Sequence, residues 1–126
     1  MLTGFEGELY LNLMTFKKSG AGVATPVWFV RDGDTLYVRT VADSWKVKRL
    51  RRSSRARVMP CGREGQPRGD WLDAEAVINT DPATADRVRR LVAEKYGLDQ
   101  ATYEREENGR VLKLPYTIIE IHLSVP

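Results

Sequence analysis

The chain has 126 residues and a net charge of +3, and its 42% hydrophobic and 29% charged content is typical of a folded globular domain rather than a disordered chain. We therefore predict a single domain over residues 1–126. No stretch approaches the roughly 20 consecutive apolar residues of a membrane-spanning helix, and the N-terminal segment lacks signal-peptide features. We expect a cytoplasmic protein without membrane contact.

The content of metal-binding and disulfide-forming residues is very low. Cys61 is the only cysteine and His122 the only histidine. No internal disulfide can form, and a zinc site of the usual Cys/His type is not expected. We predict no metal.

The first predicted element is a strand at residues 8–16, ELYLNLMTF. Its apolar residues alternate, which is the pattern of a strand with one buried face. Leu9, Leu11 and Leu13 are expected on the same side.

The next segment predicts two antiparallel strands, at residues 22–30 and 35–40. Both are rich in β-branched and aromatic residues, and Asp32-Gly33 stands between them at the position of a hairpin turn. Pro26 cannot donate a hydrogen bond to a sheet, so it indicates an edge strand, a bulge or a backbone diverted towards a ligand.

A short basic helix is predicted to begin after Ser44, which is a suitable N-cap. Only Val47 and Leu50 provide an apolar stripe, so the helix is expected on the surface. Seven basic residues lie between positions 46 and 57, without an acidic residue. This clustering indicates a local anionic partner.

The second half of the chain predicts one long helix and three strands. Asp81 and Pro82 form a typical helix start, the apolar residues that follow recur at helical spacing, and Gly97 ends the pattern. Residues 98–110 are polar and predict a helical turn and a loop. The strands are predicted at residues 55–62, 70–79 and 116–123. The complete set predicts a mainly β fold, a six- to seven-stranded antiparallel β-barrel with flanking helices.

Residues 21–71 carry a series of short motifs with a family resemblance. In order, they are TPVWF, DGDTLYVRT, SWKVKRLR, VMPC and GQPRG. Together they resemble the split-barrel flavin and deazaflavin proteins related to pyridoxamine phosphate oxidase, especially the branch that uses coenzyme F420. The resemblance implies an FMN-binding split-barrel fold.

The resemblance also implies a set of cofactor-binding residues. The phosphate would be held by Arg39, Thr40, Ser44 and Lys46. The ring would lie beside Thr25, Pro26, Val27 and Trp28. Further cofactor contacts are implied for Trp45, Arg49, Met59 and Cys61. A helix start with free amides and hydroxyls is a suitable phosphate site, which agrees with this assignment.

The basic helix supplies more cations than one phosphate requires. Helical periodicity places three polar residues near one face and four basic residues around the opposite side. The first group is Lys46, Arg49 and Ser53, and the second is Lys48, Arg51, Arg52 and Arg55. The F420 tail carries a phosphodiester and several carboxylates, so the surplus favours F420 over FMN.

The leading hypothesis is an F420-dependent oxidoreductase that transfers a hydride to or from a small organic substrate. The alternatives are an FMN-binding flavoprotein of pyridoxamine phosphate oxidase type and a non-catalytic F420 carrier. A nucleic-acid binder is disfavoured because the basic segment lacks several stacking aromatics. No catalytic residue is identified, since neither Cys61 nor His122 has an evident partner. The resemblance implies a homodimer, with Trp71 among the residues that could reach the partner's cofactor.

Overall fold

The computed structural model describes residues 3–97 and 115–124, which form seven strands, two helices and a short 3-10 turn at Thr3–Phe5. The predicted loop at 98–110 lies outside the described residues. The elements in chain order are β1 (Tyr10–Phe16), β2 (Gly22–Val27), β3 (Val30–Asp32), β4 (Thr35–Val41), α1 (Trp45–Arg52), β5 (Arg55–Cys61), β6 (Leu72–Asn79), α2 (Pro82–Lys95) and β7 (Tyr116–Leu123).

All seven strands join one antiparallel sheet in the order β2-β1-β5-β6-β7-β4-β3. The sheet curls into a half-barrel, which confirms the predicted mainly β split-barrel class. Its concave side holds a core that includes Leu11, Leu13, Val38 and Ile119, each no more than 1% exposed. Helix α1 contributes Val47 and Leu50 to this core, as its narrow apolar stripe predicts.

Helix α2 packs on the opposite side of the sheet. Val88 and Val92 meet Val30, Tyr37 and Ile118 in a second buried cluster. Consecutive residues of a strand point to opposite faces, so β4 and β7 supply both clusters. The two clusters together bury both faces of this part of the sheet.

The prediction of one strand over residues 22–30 is wrong. The chain leaves β2 after Val27 and begins β3 at Val30. Strand β2 pairs with β1, and β3 pairs with β4, so the two lie at opposite ends of the sheet order. The predicted hairpin exists between β3 and β4, where Gly33 adopts a φ of 63° that favours glycine.

Other boundaries differ from prediction by one or two residues. Strand β1 begins at Tyr10, so Leu9 precedes it and is 52% exposed instead of facing the core. The edge-strand interpretation of Pro26 is confirmed, because β2 has a single neighbour among the described strands. No helix in residues 3–97 and 115–124 has the length and apolar character needed to cross a membrane.

Candidate functional site

A cluster of positive charge surrounds a groove of about 510 Å³ between α1 and the turn that joins β1 to β2. We call it the basic groove. Its lining residues are Lys17, Lys18, Trp45, Lys48, Arg49 and Arg52. The lining in the described part of the chain thus combines five cations and one aromatic ring, without a carboxylate.

The sequence of α1 explains how the helix presents this face. The Ser44 hydroxyl accepts a hydrogen bond from the Val47 amide at 3.4 Å and caps the helix, as predicted. Burial of Val47 and Leu50 then fixes the rotation of the helix. The groove residues of α1 follow the spacing of neighbours on a helix surface, three to four residues apart.

Two arginines connect the helix to the end of β1. Arg49 Nη1 donates to the Thr15 hydroxyl at 3.4 Å, and Arg52 Nη2 donates to the Phe16 carbonyl. Thr15 is only 1% exposed, so the partner of Arg49 is firmly placed. These contacts hold part of the groove wall in position before any ligand binds.

Little negative charge offsets the cations of the basic groove. Among the described residues that line the groove, only Lys48 forms an ion pair, with Asp43 at 3.6 Å, and the Asp43 side chain is 81% exposed. Exposed ion pairs of this kind contribute little to stability. Lys48 Nζ also lies 4.7 Å from the centre of the Trp45 ring. An anionic ligand would therefore meet largely uncompensated positive charge.

The grouping of the basic residues differs from the one expected from helical periodicity. The structure brings Arg49 together with Lys48 and Arg52, which were assigned to the other side of the helix. Lys46 does not line the basic groove. Burial lowers the pKa of Lys46, and the nearby Arg49 charge lowers it further. Lys46 thus occupies a partly desolvated position beside the groove.

The predicted phosphate residues of β4 lie on different faces of the sheet. Thr40 pairs with Thr117 and shares the concave-side orientation of Val38, whereas Arg39 is oriented towards the convex side. The Arg39 guanidinium lies 3.8 Å from the centre of the Tyr116 ring. The structure therefore does not gather Arg39 and Thr40 into one cluster with the basic groove.

The predicted ring segment forms the free edge of the sheet and its continuation. Pro26 lies opposite Asn12 of β1, with Thr25 and Val27 on either side. Trp28 follows the strand and stacks on Tyr96, with ring centres 4.1 Å apart and planes 7° from parallel. One side of this edge has no strand partner in the described sheet, which leaves backbone groups available for a ligand.

Met59 and Cys61 lie on the convex face of β5, just before the turn at residues 62–69. They are 4% and 2% exposed. The turn folds back through a hydrogen bond from the Arg68 amide to the Pro60 carbonyl at 2.9 Å. Burial, followed by the charge of Glu8, raises the pKa of Cys61. The thiol therefore stays protonated near neutral pH, as an inert buried cysteine does.

Sequence reasoning missed three residues at or near these sites. Lys17 and Lys18 lie in a turn and approach α1 only because β1 ends beside that helix. The only signal in the sequence was that the two lysines are adjacent, just before the turn at Gly20. Tyr96 continues the helical spacing of the apolar residues before Gly97, but its hydroxyl also contacts the backbone of Phe29. No local pattern predicts such a contact.

The profile of the pyridoxamine 5'-phosphate oxidase family matches residues 2–122. The chain belongs to this family. Pyridoxamine 5'-phosphate oxidase proteins have a split-barrel fold that binds flavin-type cofactors, and the family contains oxidoreductases. No curated protein matches the sequence.

Solved structures that resemble this pyridoxamine 5'-phosphate oxidase family member share its fold at low identity. A conserved hypothetical protein from Mycobacterium tuberculosis has a TM-score of 0.76 and 18% identity, covering 98% of this chain and 78% of that one. The heme storage protein HutZ from Vibrio cholerae has a TM-score of 0.72 and 14% identity, covering 98% of this chain and 87% of that one. An F420 reductase has a TM-score of 0.66 and 17% identity, covering 98% of this chain and 92% of that one.

Proposed function

We propose that the chain is an F420-dependent oxidoreductase that transfers a hydride between the deazaflavin and a small organic substrate. The observation that carries this proposal is the basic groove of about 510 Å³. Five cations line it, and within the described part of the chain only one of them, Lys48, pairs with an acid, the exposed Asp43. A phosphate ester with additional carboxylates matches such a site in charge. Similarity to a solved F420 reductase supports the same choice.

The residues of the site fit a cofactor that has an anionic tail and a planar ring. The groove cations would hold the phosphodiester and tail carboxylates, with Arg49 and Lys48 nearest to the helix start. Strand β2 runs from the groove to the Thr25–Trp28 segment, and its rise of about 3.3 Å per residue separates Gly22 from Pro26 by about 13 Å. The segment would flank the ring with its unpaired edge.

The cofactor supplies the hydride chemistry, while the chain binds and orients it. No side chain needs to form a covalent bond with the substrate. This division agrees with the buried, protonated Cys61. The protein must hold one face of the ring open for the substrate and exclude the tail from that space.

An FMN-binding flavoprotein is the principal alternative. One phosphate needs fewer cations than the basic groove offers, so FMN explains the site less fully. A non-catalytic F420 carrier uses the same site without turnover, and the fold is also shared by a heme storage protein. Steady-state turnover with reduced F420 and a panel of conjugated acceptors separates the enzyme from the carrier.

We also propose a cytoplasmic homodimer in which the cofactor lies in a groove between two subunits. The exposed apolar side chains at Trp28, Leu72 and Val77 supply surface that a second copy could cover. Trp71 would then lie close enough to reach the partner's site. Sedimentation velocity with the purified chain should give the mass of a dimer, and a monomer that binds cofactor with full affinity would contradict this proposal.

The central test is a parallel fluorescence titration of the purified chain with F420 and with FMN. We expect F420 to bind more tightly. Tighter binding of FMN would favour the FMN-binding flavoprotein instead. Binding of neither cofactor would contradict the proposed function. Lys46→Ala and Lys48→Ala, compared in the same titration, locate the phosphate. A loss of roughly 1.5 to 3 kcal/mol is expected for the lysine that makes a charged contact.

A further inference from the structure

The link between β2 and β3 occupies an unusual place in the sheet. These strands form the two free edges of the sheet in residues 3–97 and 115–124, yet only Trp28 and Phe29 separate them in sequence. The chain therefore crosses the open seam of the half-barrel at these two residues. Neither residue belongs to a strand, so the link needs hydrogen-bond partners from elsewhere.

The end of α2 provides those partners. The Phe29 amide donates to the Tyr96 hydroxyl at 3.0 Å, and the Phe29 carbonyl accepts from Lys95 Nζ at 2.8 Å. The Tyr96 oxygen also lies 3.0 Å from the Phe29 carbonyl and 2.7 Å from the Leu9 carbonyl. Because a tyrosine has one hydroxyl proton, it donates to one of these carbonyls at a time while it accepts the amide.

The same tyrosine also orients the side chain next to the ring segment. The Tyr96 ring stacks on Trp28, which is 41% exposed. Tyr96 itself is held at the end of α2, where its amide donates to the Val92 carbonyl at 3.0 Å. Burial raises the pKa of Tyr96 to about 12, so its hydroxyl keeps its proton under physiological conditions. A rigid helix thus fixes both the backbone after β2 and the plane of Trp28.

We propose that Tyr96 is a positioning residue for the cofactor ring. It fixes the end of the Thr25–Trp28 segment through its hydrogen bonds to Phe29 and its stack on Trp28. This inference rests on the proposed function, since the ring segment is assigned there. Tyr96 acts through the segment and does not touch the reacting atoms. Loss of its hydroxyl should therefore disturb the ring while leaving the anionic tail in place.

The test compares Tyr96→Phe with Tyr37→Phe. The first removes the hydroxyl at the link and keeps an aromatic ring on Trp28. The second removes a hydroxyl from the same α2–sheet interface, where Tyr37 accepts from Arg87 Nη2 at 3.3 Å. Binding of F420 is followed by fluorescence anisotropy, and the emission spectrum of the ring is recorded at saturation. Thermal unfolding of each variant is measured in parallel.

We expect Tyr96→Phe to weaken F420 binding about tenfold, which corresponds to roughly one lost hydrogen bond, and to change the emission spectrum of the saturated complex. The inhibition constant of inorganic phosphate, measured by competition with F420, should be the same for Tyr96→Phe as for the wild type, since the substitution leaves the basic groove unchanged. Tyr37→Phe should match the wild type in affinity and spectrum. Lys95→Met, which removes the other side-chain donor to Phe29, should shift the spectrum in the same direction.

Wild-type affinity and spectrum in both Tyr96→Phe and Lys95→Met would overturn the inference, even if their melting temperatures fall, because Tyr96 would then be only structural. The proposed function would survive that result. A wild-type chain that binds neither F420 nor FMN would overturn the proposed function and this inference with it. The two failures are therefore distinguishable in one set of titrations.

Discussion

Arg49 is the residue at which α1, β1 and the basic groove meet. Its guanidinium donates to Thr15 and lines the groove at the same time. It also lowers the pKa of Lys46 through its charge. The contact with a buried threonine pre-positions the guanidinium, so less side-chain entropy is lost when an anion binds.

Arg49→Ala should therefore weaken F420 binding by roughly tenfold to a hundredfold, the range for a lost charge-assisted hydrogen bond. The matched control is Arg51→Ala, which removes the same charge from an exposed position of the same helix outside the groove lining. Fluorescence titration measures both. Equal losses in the two variants would mean that only the overall charge matters and that the groove is not the site.

Lys95 gives the chain a pH-dependent stability. Burial lowers its pKa to about 8, although the charge of Glu8 acts in the opposite direction. Between pH 8 and the ordinary lysine pKa near 10.5, the unfolded chain binds more protons at this residue than the folded chain does. The contribution of Lys95 to stability therefore rises with pH across that window.

Lys95→Met should remove this contribution. In urea unfolding at pH 8 and pH 10, the free energy of unfolding of the variant should rise less, or fall more, than that of the wild type. Using the difference between the two proteins cancels the titration of other groups that both share. Parallel pH profiles would show that Lys95 titrates in the folded chain as it does in the unfolded one.

At the scale of whole elements, the start of α1 depends on a single hydroxyl. Ser44 caps the helix that carries four of the groove residues. Ser44→Ala should lower the free energy of unfolding by about 1 kcal/mol, whereas Ser44→Gly should cost only a few tenths, because glycine is tolerated at an N-cap. Chemical denaturation measures both. An alanine variant as stable as the wild type would show that the Ser44 hydroxyl contributes nothing to stability.

Elements with local signals were predictable from the sequence. The Ser44 and Asp81 caps, the Gly33 turn and the strand at 116–123 depend on neighbouring residues, and each is found where predicted. The break after Val27 was not predictable in this way. It exists because β2 pairs with β1 while β3 pairs with β4, and both choices involve residues that are not adjacent in sequence.

The candidate site shows the same division. The narrow apolar stripe predicted a surface helix, but periodicity assigned Arg49 and Lys48 to different faces of it. The rotation of α1 is set by burial of Val47 and Leu50 against the sheet, and a helix of eight residues has too few turns for its polar faces to be separated reliably. Lys17 and Lys18 join the groove through tertiary packing, which no spacing rule contains.

At the scale of the whole molecule, the attraction of an anionic ligand depends more on how charge is distributed than on the net charge. The chain carries a net charge of only +3, yet the basic groove alone gathers five cations. Several acids of the described chain pair with cations outside the groove, for example Asp86 with Arg90 at 3.1 Å and Asp73 with Arg57 at 3.1 Å, while Asp43 pairs with the groove residue Lys48. The attraction of an anion is therefore a property of one face of the molecule.

The dependence of F420 affinity on salt concentration tests whether the attraction is confined to the basic groove. Raising the ionic strength from about 0.1 M to about 1 M shortens the screening length from about 10 Å to about 3 Å, so F420 affinity should fall steeply. Lys48→Ala should reduce the steepness, because one groove cation is gone. Arg90→Ala makes the same change in net charge on α2 and should keep the wild-type dependence, since its charge lies outside the groove. If both variants lose steepness equally, the attraction arises from net charge and the groove has no special role; if neither does, Lys48 does not face the anion.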